Sequence, residues 1–264
     1  MVSKHIKRII ANGCSHTSGA EIEYAFQNCC YERAWPRWVA DDLGCEWVNI
    51  AQSGASAKRN LRTTMSYFGR FPEHAKDSLV IINWPGPWRH ELRLNREYNL
   101  NLPDATAERV DSRNWWQFSG SPGNAESYAA KIKEGTLRRS EFEFFRHCIT
   151  ATTDDQMWLD YAMHILSLQN YLKTMKIPYL FYNSVTAFAF GHLLSQPLTR
   201  QIDTRYWIGS LWSYEEGYFK RCEARGFNFA EPSVNNHFGE DAHQWWASVV
   251  KQEILQKYPK LQFN

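Results

Sequence analysis

Ile9-Ile10-Ala11-Asn12-Gly13-Cys14-Ser15-His16-Thr17-Ser18-Gly19 is an apolar run that stops abruptly at a glycine-flanked serine. The run Ile6 to Ala11 reads as a buried strand, Gly13 and Gly19 permit backbone geometry that a Cβ forbids, and Ser15 falls at the strand's carboxyl end. A parallel α/β sheet presents a nucleophile at that place. Serine between glycines is also a common turn composition whose hydroxyl caps a following helix, so the stretch needs partners elsewhere in the chain before it reads as chemistry.

Working outward, Tyr31 to Leu43 places Trp35, Trp38, Val39 and Leu43 at helical spacing, with Gly44 as its stop. Cys45 to Ala51 is a short apolar strand ending at Gln52-Ser53-Gly54-Ala55-Ser56, and Leu61 to Phe71 follows as a helix. Ser78 to Asn83 is a third strand, apolar on both faces, running into Trp84-Pro85-Gly86-Pro87-Trp88-Arg89. This recurrence predicts βαβ units in a doubly wound parallel sheet with its ligand crevice beyond the carboxyl ends of the strands.

From about residue 92 to 150 the pattern breaks into a polar stretch with two tryptophans, read as an irregular aromatic insertion over the crevice. Helical spacing resumes over Asp155 to Met175, a fourth strand spans Pro178 to Tyr182, Phe188 to Tyr218 is irregular and aromatic, and Asp241 to Tyr258 is a terminal amphipathic helix. The whole of residues 1–264 reads as a single domain.

Bulk properties exclude several function classes. Thirty basic against 28 acidic residues, interspersed, give a net charge of +2 and no indication of a nucleic acid or membrane-surface partner. The apolar stretches are well short of the roughly eighteen residues of a membrane span. Six cysteines form no CxxC pair or zinc spacing, and no signal peptide is evident; they read as reduced thiols of a cytoplasmic, soluble protein. No dinucleotide or phosphate-binding glycine motif is present, so neither a metal nor an organic cofactor is expected. Aromatic residues make up 15% of the chain, enough to build a core or to line a cleft that stacks on sugar rings or bases.

Three strand-end loops and the loop before the last helix converge on one crevice and supply Ser15, Gly54, Asn83 to Arg89, and His237. This set resembles the SGNH/GDSL hydrolase superfamily, whose blocks give a Gly-Asp-Ser nucleophile, a glycine, an asparagine and an Asp-x-x-His. Gly13-Cys14-Ser15 with Gly19 looks like the first block, with Cys14 for the usual Asp, and Asn49 to Ser56 looks like the second. His237-Phe238-Gly239-Glu240-Asp241-Ala242-His243 is similar to the family's last segment, with His237 in the place of the base and His243 as a helix residue. Divergent members in phage and bacterial genomes resemble this chain in a Trp, Pro and Arg-Glu pattern, here Trp84, Arg89 and Glu91.

Two positions depart from that pattern. Asn83 falls on the glycine and Pro85, without a donor, on the oxyanion asparagine; Val234 stands where the family has the aspartate that orients the imidazole. Asn235 is the nearest polar substitute; otherwise a backbone carbonyl, or a more distant acid such as Glu231 or Asp241, holds the ring of His237.

The resemblance implies a three-layer α/β/α flavodoxin-like fold of SGNH type and ester hydrolysis through an acyl-serine, with Ser15 attacking and His237 as general base and acid. The oxyanion falls to the N–H groups of Ser15 and Gly54, with Asn83 or Arg89 as side-chain donor; His16 lines the pocket. An O-acetylated carbohydrate or other small-molecule ester is the expected substrate. The alternatives are a binding protein that kept the fold and lost the chemistry, and an acyltransferase using the same serine. The residues have plainer readings as well: Gly54 as a tight turn, His237 as a capping or surface residue, Asn83 as a strand-terminal group, Arg89 in an ion pair with Glu91, and Cys14 as core.

Overall fold

The computed structural model describes residues 4–22, 29–94, 114–119, 125–187, 197–230 and 236–263. The N-terminal apolar run divides into β1 (Lys4–Ile6) and β2 (Arg8–Asn12) rather than forming one strand. The amides of Lys7 and Arg8 both donate to the carbonyl of Asp77, which interrupts the ladder, and β1 pairs instead in parallel with β8 (Leu261–Phe263) near the C-terminus.

β2, β3 (Glu46–Asn49), β4 (Ser78–Trp84) and β7 (Tyr179–Asn183) form one all-parallel sheet in the order β3-β2-β4-β7. The chain steps from β2 outward to β3 and then back past β2 to β4. The order therefore reverses between β2 and β4, the place where open parallel sheets carry a ligand crevice. Beyond β7, a single parallel bridge joins Phe181 to Trp207.

Strand alternation feeds two cores, and this makes the architecture a three-layer α/β/α sandwich. Ile9, Ala11, Leu79, Ile81, Leu180 and Tyr182 face α2 (Trp35–Leu43) and α8 (Glu240–Lys257). Ile10, Val80, Ile82, Trp84 and Phe181 face α3 (Ala57–Arg70) and α6 (Asp154–Thr174). The helix ends follow local chemistry: the Ser56 hydroxyl accepts from Arg59 N–H to start α3, Thr153 accepts from Gln156 N–H to start α6, and Gly44 at φ 67° ends α2.

The stretch expected to be irregular over about residues 92–150 contains regular elements. β5 (Arg89–Arg93) pairs antiparallel with β6 (Trp115–Ser119), and α4 (Ala125–Lys133) and α5 (Arg139–Ala151) pack on the hairpin. Leu94, Trp116, Phe118, Tyr128, Leu137 and Phe145 form a small core of their own. The four-residue α1 (Ser15–Ser18) follows β2, and α7 (Tyr218–Ala224) precedes the loop to α8. All six cysteines are free thiols, and no helix among the described residues is long and apolar enough to cross a membrane.

Candidate active site

The serine loop leaves β2 at the point where the sheet order reverses, and buried polar contacts fix its path. Asn12 accepts from Gly13 N–H and donates through Nδ2 to Thr63 Oγ1 at 2.8 Å and Thr64 Oγ1 at 3.0 Å on α3. At Gly13 the loop presses on β4: a Cβ there would lie 2.5 Å from Thr17 Oγ1 and 2.6 Å from Asn83 Cβ. Only glycine allows that approach. Ser15 then opens α1 and is 3% exposed.

The second loop is stitched to the first. Ile50 N–H donates to Ala11 O, Gln52 N–H to Gly13 O, and Asn49 Nδ2 to Thr17 O at 2.7 Å. The fully buried Arg59 reaches up from α3 to Gln52 Oε1 at 2.9 Å, to Ile50 O at 3.0 Å and to Asn12 Oδ1 at 3.3 Å. The turn closes at Gly54, where φ is +77°.

At the end of β4, Asn83 is enclosed. Its Oδ1 accepts from Cys14 Sγ at 3.2 Å, its carbonyl accepts from Asn60 Nδ2, and its own Nδ2 is buried with no hydrogen-bond partner. Cys14 is buried against Asn83 and Ser184 Oγ.

Arg89 opens β5, and the ion pair expected between it and Glu91 does not form. Glu91 is held in a two-pronged grip by Arg62 of α3, with Nε–Oε1 at 2.8 Å and Nη2–Oε2 at 3.0 Å, and accepts from Gln117 Nε2 as well. That planar, bidentate geometry outcompetes a neighbour two positions away on the same strand. Arg89 is left partly buried, with Nη1 enclosed and without a hydrogen-bond partner.

His237 is presented by the loop before α8. Its carbonyl accepts from Ala230 N–H at 2.7 Å, and a Phe229–Phe238 bridge braces the turn. Its ring centroid lies 5.0 Å from that of His16, the neighbour of Ser15 in the chain, and His16 in turn packs on Tyr218 and Phe219. The structure thus brings the histidine loop onto the serine loop, although among the described residues no hydrogen bond joins Ser15 to His237. Such bonds are often long before substrate binds.

Nδ1 of His237 is 2.9 Å from Oε2 of Glu21, a carboxylate 2% exposed. Of the groups expected to hold the imidazole, Asp241 is exposed in the first turn of α8 and accepts from Ala242 N–H, while Glu231 and Asn235, like Val234, lie outside the described residues. Sequence reasoning missed Glu21. It carries no motif, and only its place in the serine loop could have suggested it.

Burial sets the protonation of the three imidazoles. His237 is pushed below the ordinary histidine range by desolvation, partly offset by Glu21, with Arg89 adding to the lowering. His16 is held well below that range by burial, then by His237, Arg89 and His243. His243 is pushed down to about 3 and, as a neutral acceptor, takes the Trp35 N–H at the start of α2. In a neutral His237 whose Nδ1–H donates to Glu21, the basic lone pair is on Nε2.

No protein-family model matches the chain, and no curated protein matches it. Solved structures do. An acetyl xylan esterase from the rumen bacterium Butyrivibrio proteoclasticus is 12% identical with a TM-score of 0.44, the match covering 98% of this chain and 66% of that one. The chain therefore spans just under two thirds of that esterase. TesA is 10% identical with a TM-score of 0.42, over 96% of this chain and 99% of that one. A phospholipase A1 from Streptomyces albidoflavus is 11% identical with a TM-score of 0.39, over 94% and 99%.

Among the described residues no group of His, Cys, Asp and Glu could hold a metal ion. What the structure gathers at this end of the sheet is a serine at a strand end and, through the His16–His237 contact, a buried imidazole.

Proposed function

We propose that the protein is a serine acyl hydrolase that cleaves an ester through an acyl-serine intermediate. The observation that carries this reading is the seating of a buried, neutral His237 against the loop of Ser15, at the point where the parallel sheet reverses its strand order. The motif order of Ser15, Gly54 and His237 supports the same reading.

In this mechanism Ser15 Oγ attacks the ester carbonyl while His237 Nε2 takes the hydroxyl proton. The negative charge that forms on the carbonyl oxygen is met by the N–H groups of Ser15 and Gly54, with Arg89 as side-chain donor. Asn83 is the other candidate donor; it is wholly enclosed, and its Nδ2 lacks a partner. His237 then returns the proton to the alcohol oxygen as the C–O bond breaks, and a water repeats the sequence to release the acid. Gln117 of β6 borders Gly54, its Cβ 3.9 Å from where a Cβ of Gly54 would lie. The polar Gln117 so placed suits the hydroxyl-bearing O-acetyl ester of a carbohydrate as substrate.

A fluorophosphonate probe tests the reading. Intact protein becomes labelled at Ser15; Ser15→Ala abolishes labelling, and His237→Ala lowers its rate by about a thousandfold or more. Absence of labelling in folded wild-type protein overturns the hydrolase and favours a binding protein on the same fold. Diversion of the acyl group to added acceptor alcohols in preference to water identifies a transferase.

A further inference from the structure

We infer that Glu21 is the positioning acid for His237, so that the nucleophile and the acid that orients its base are carried on one loop, in the chain order Ser15, Glu21, His237. The inference rests on the serine hydrolase reading above and deepens it.

The contact is direct: Glu21 Oε2 lies 2.9 Å from His237 Nδ1, with side-chain exposures of 2% and 9%. A carboxylate so buried is not a solvated surface acid that happens to lie nearby. The backbone on both sides is committed to the contact. Among the described residues only three non-glycine positions have positive φ, and two of them are Glu21 itself, at 65°, and Asn236, at 56°, immediately before His237. A glutamate gains nothing local from the left-handed region, so the surrounding structure must impose it.

That structure is visible. Gly19 turns the chain at φ 70°, where a Cβ would strike the Cys30 carbonyl at 2.5 Å; Ala20 N–H donates back to Ser15 O; and Ala20 bridges Cys29. Glu21 is thereby fixed relative to Ser15 by the turn that ends α1. On the other side, the Ala230–His237 hydrogen bond and the Phe229–Phe238 bridge fix the imidazole.

A carboxylate accepting from Nδ1–H selects the tautomer that carries its basic lone pair on Nε2, and it favours the imidazolium that forms when the serine proton arrives. Among the described residues the other titratable groups facing His237 do the opposite or nothing for that cation. Arg89 on β5 opposes it, and His16 on α1 and His243 on α8 are neutral neighbours whose own protonation it disfavours. Among those described, Glu21 is the group that works in its favour. With it in place, Val234, three residues before His237, is under no requirement to be acidic.

The test uses the full chain and the variants Glu21→Gln and Glu21→Asp, read by His237 ring-nitrogen NMR and by the pH profile of fluorophosphonate labelling. In wild type, His237 shows a single Nδ1–H tautomer. In Glu21→Gln the imidazole titrates at lower pH, the acid limb of the labelling profile moves down with it, and the plateau rate falls by roughly a hundred- to ten-thousandfold. Glu21→Asp, which keeps the charge, restores part of the rate and the wild-type limb. An unchanged His237 titration and an unchanged acid limb in Glu21→Gln, with labelling intact, overturn the inference. So does a mixed tautomer in wild type, which decides the matter even if Glu21→Gln fails to fold. A wild-type protein that never labels, yet whose His237 titration shifts in Glu21→Gln, refutes the hydrolase while leaving the Glu21 contact standing.

Discussion

Gly13 and Gly54 lie in the loops after β2 and β3, and glycine is needed at each for a different reason. At Gly13 the obstacle is space, since an added Cβ meets Thr17 Oγ1 and Asn83 Cβ inside 2.7 Å, so the serine loop would have to lift off β4. At Gly54 the neighbourhood is open, and the obstacle is the backbone angle of +77°. Urea titration should therefore show Gly13→Ala destabilised by about 1–3 kcal/mol and Gly54→Ala by about 1–2 kcal/mol. Equal stability of Gly13→Ala and wild type would show that the loop can yield. The glycine-flanked serine was legible because turn chemistry is local. The partner of His237 was not, because Glu21 is 216 residues away in the chain and carries no periodicity or motif. The Arg89–Glu91 pairing was misjudged for the converse reason: nearness in sequence says nothing about which cation meets a carboxylate flat-on, and Arg62 does.

Among elements, strands β4 and β7 were readable to within a residue, because a strand covered on both faces must be continuously apolar, whereas β3 is shorter than the Cys45–Ala51 expected and begins with an exposed Glu46. Ser78–Trp84 is buried throughout. The stretch after β5 defeated that reading, since a half-covered hairpin alternates: Trp116 and Phe118 point into the small core while Trp115 lies under the guanidinium of Arg62 at 3.9 Å. This satellite core makes the hairpin and its two helices a separable unit of stability. Phe145→Ala, which empties its centre, should cost about 3–5 kcal/mol within that unit. Hydrogen exchange is expected to accelerate across β5, β6, α4 and α5 while β2 and β4 keep wild-type protection. Uniform acceleration over the whole chain would refute the separation.

On the scale of the molecule, histidines buried in the neutral form tie folding to pH. His16 and His243 are 4% and 1% exposed, and both are depressed, His243 to about 3. The unfolded chain binds their protons near the ordinary histidine value of about 6.5, whereas the folded chain refuses them. Stability is therefore complete above that pH and declines on acidification by about 1.4 kcal/mol per pH unit for each histidine, for His243 until the folded imidazole is protonated near 3. Urea titrations between about pH 6 and pH 4 should report proton uptake on unfolding, of which His16 and His243 supply about two, and His243→Gln should remove about one. A slope unaltered by that substitution would show that His243 is not the group involved. His243 also shows where sequence and structure divide the work. The sequence by itself determined that strands recur with glycine and serine loops at their ends, because hydrophobic periodicity and turn chemistry act within a few residues, and that recurrence gave a parallel sheet with Ser15 at its carboxyl edge. Only the tertiary structure decided that His243 takes the first amide of α2, that Arg62 takes Glu91 and that Glu21 takes His237. Such pairings are selected by burial, where a polar group excluded from water must find whichever partner the crossing of distant segments places within about 3 Å.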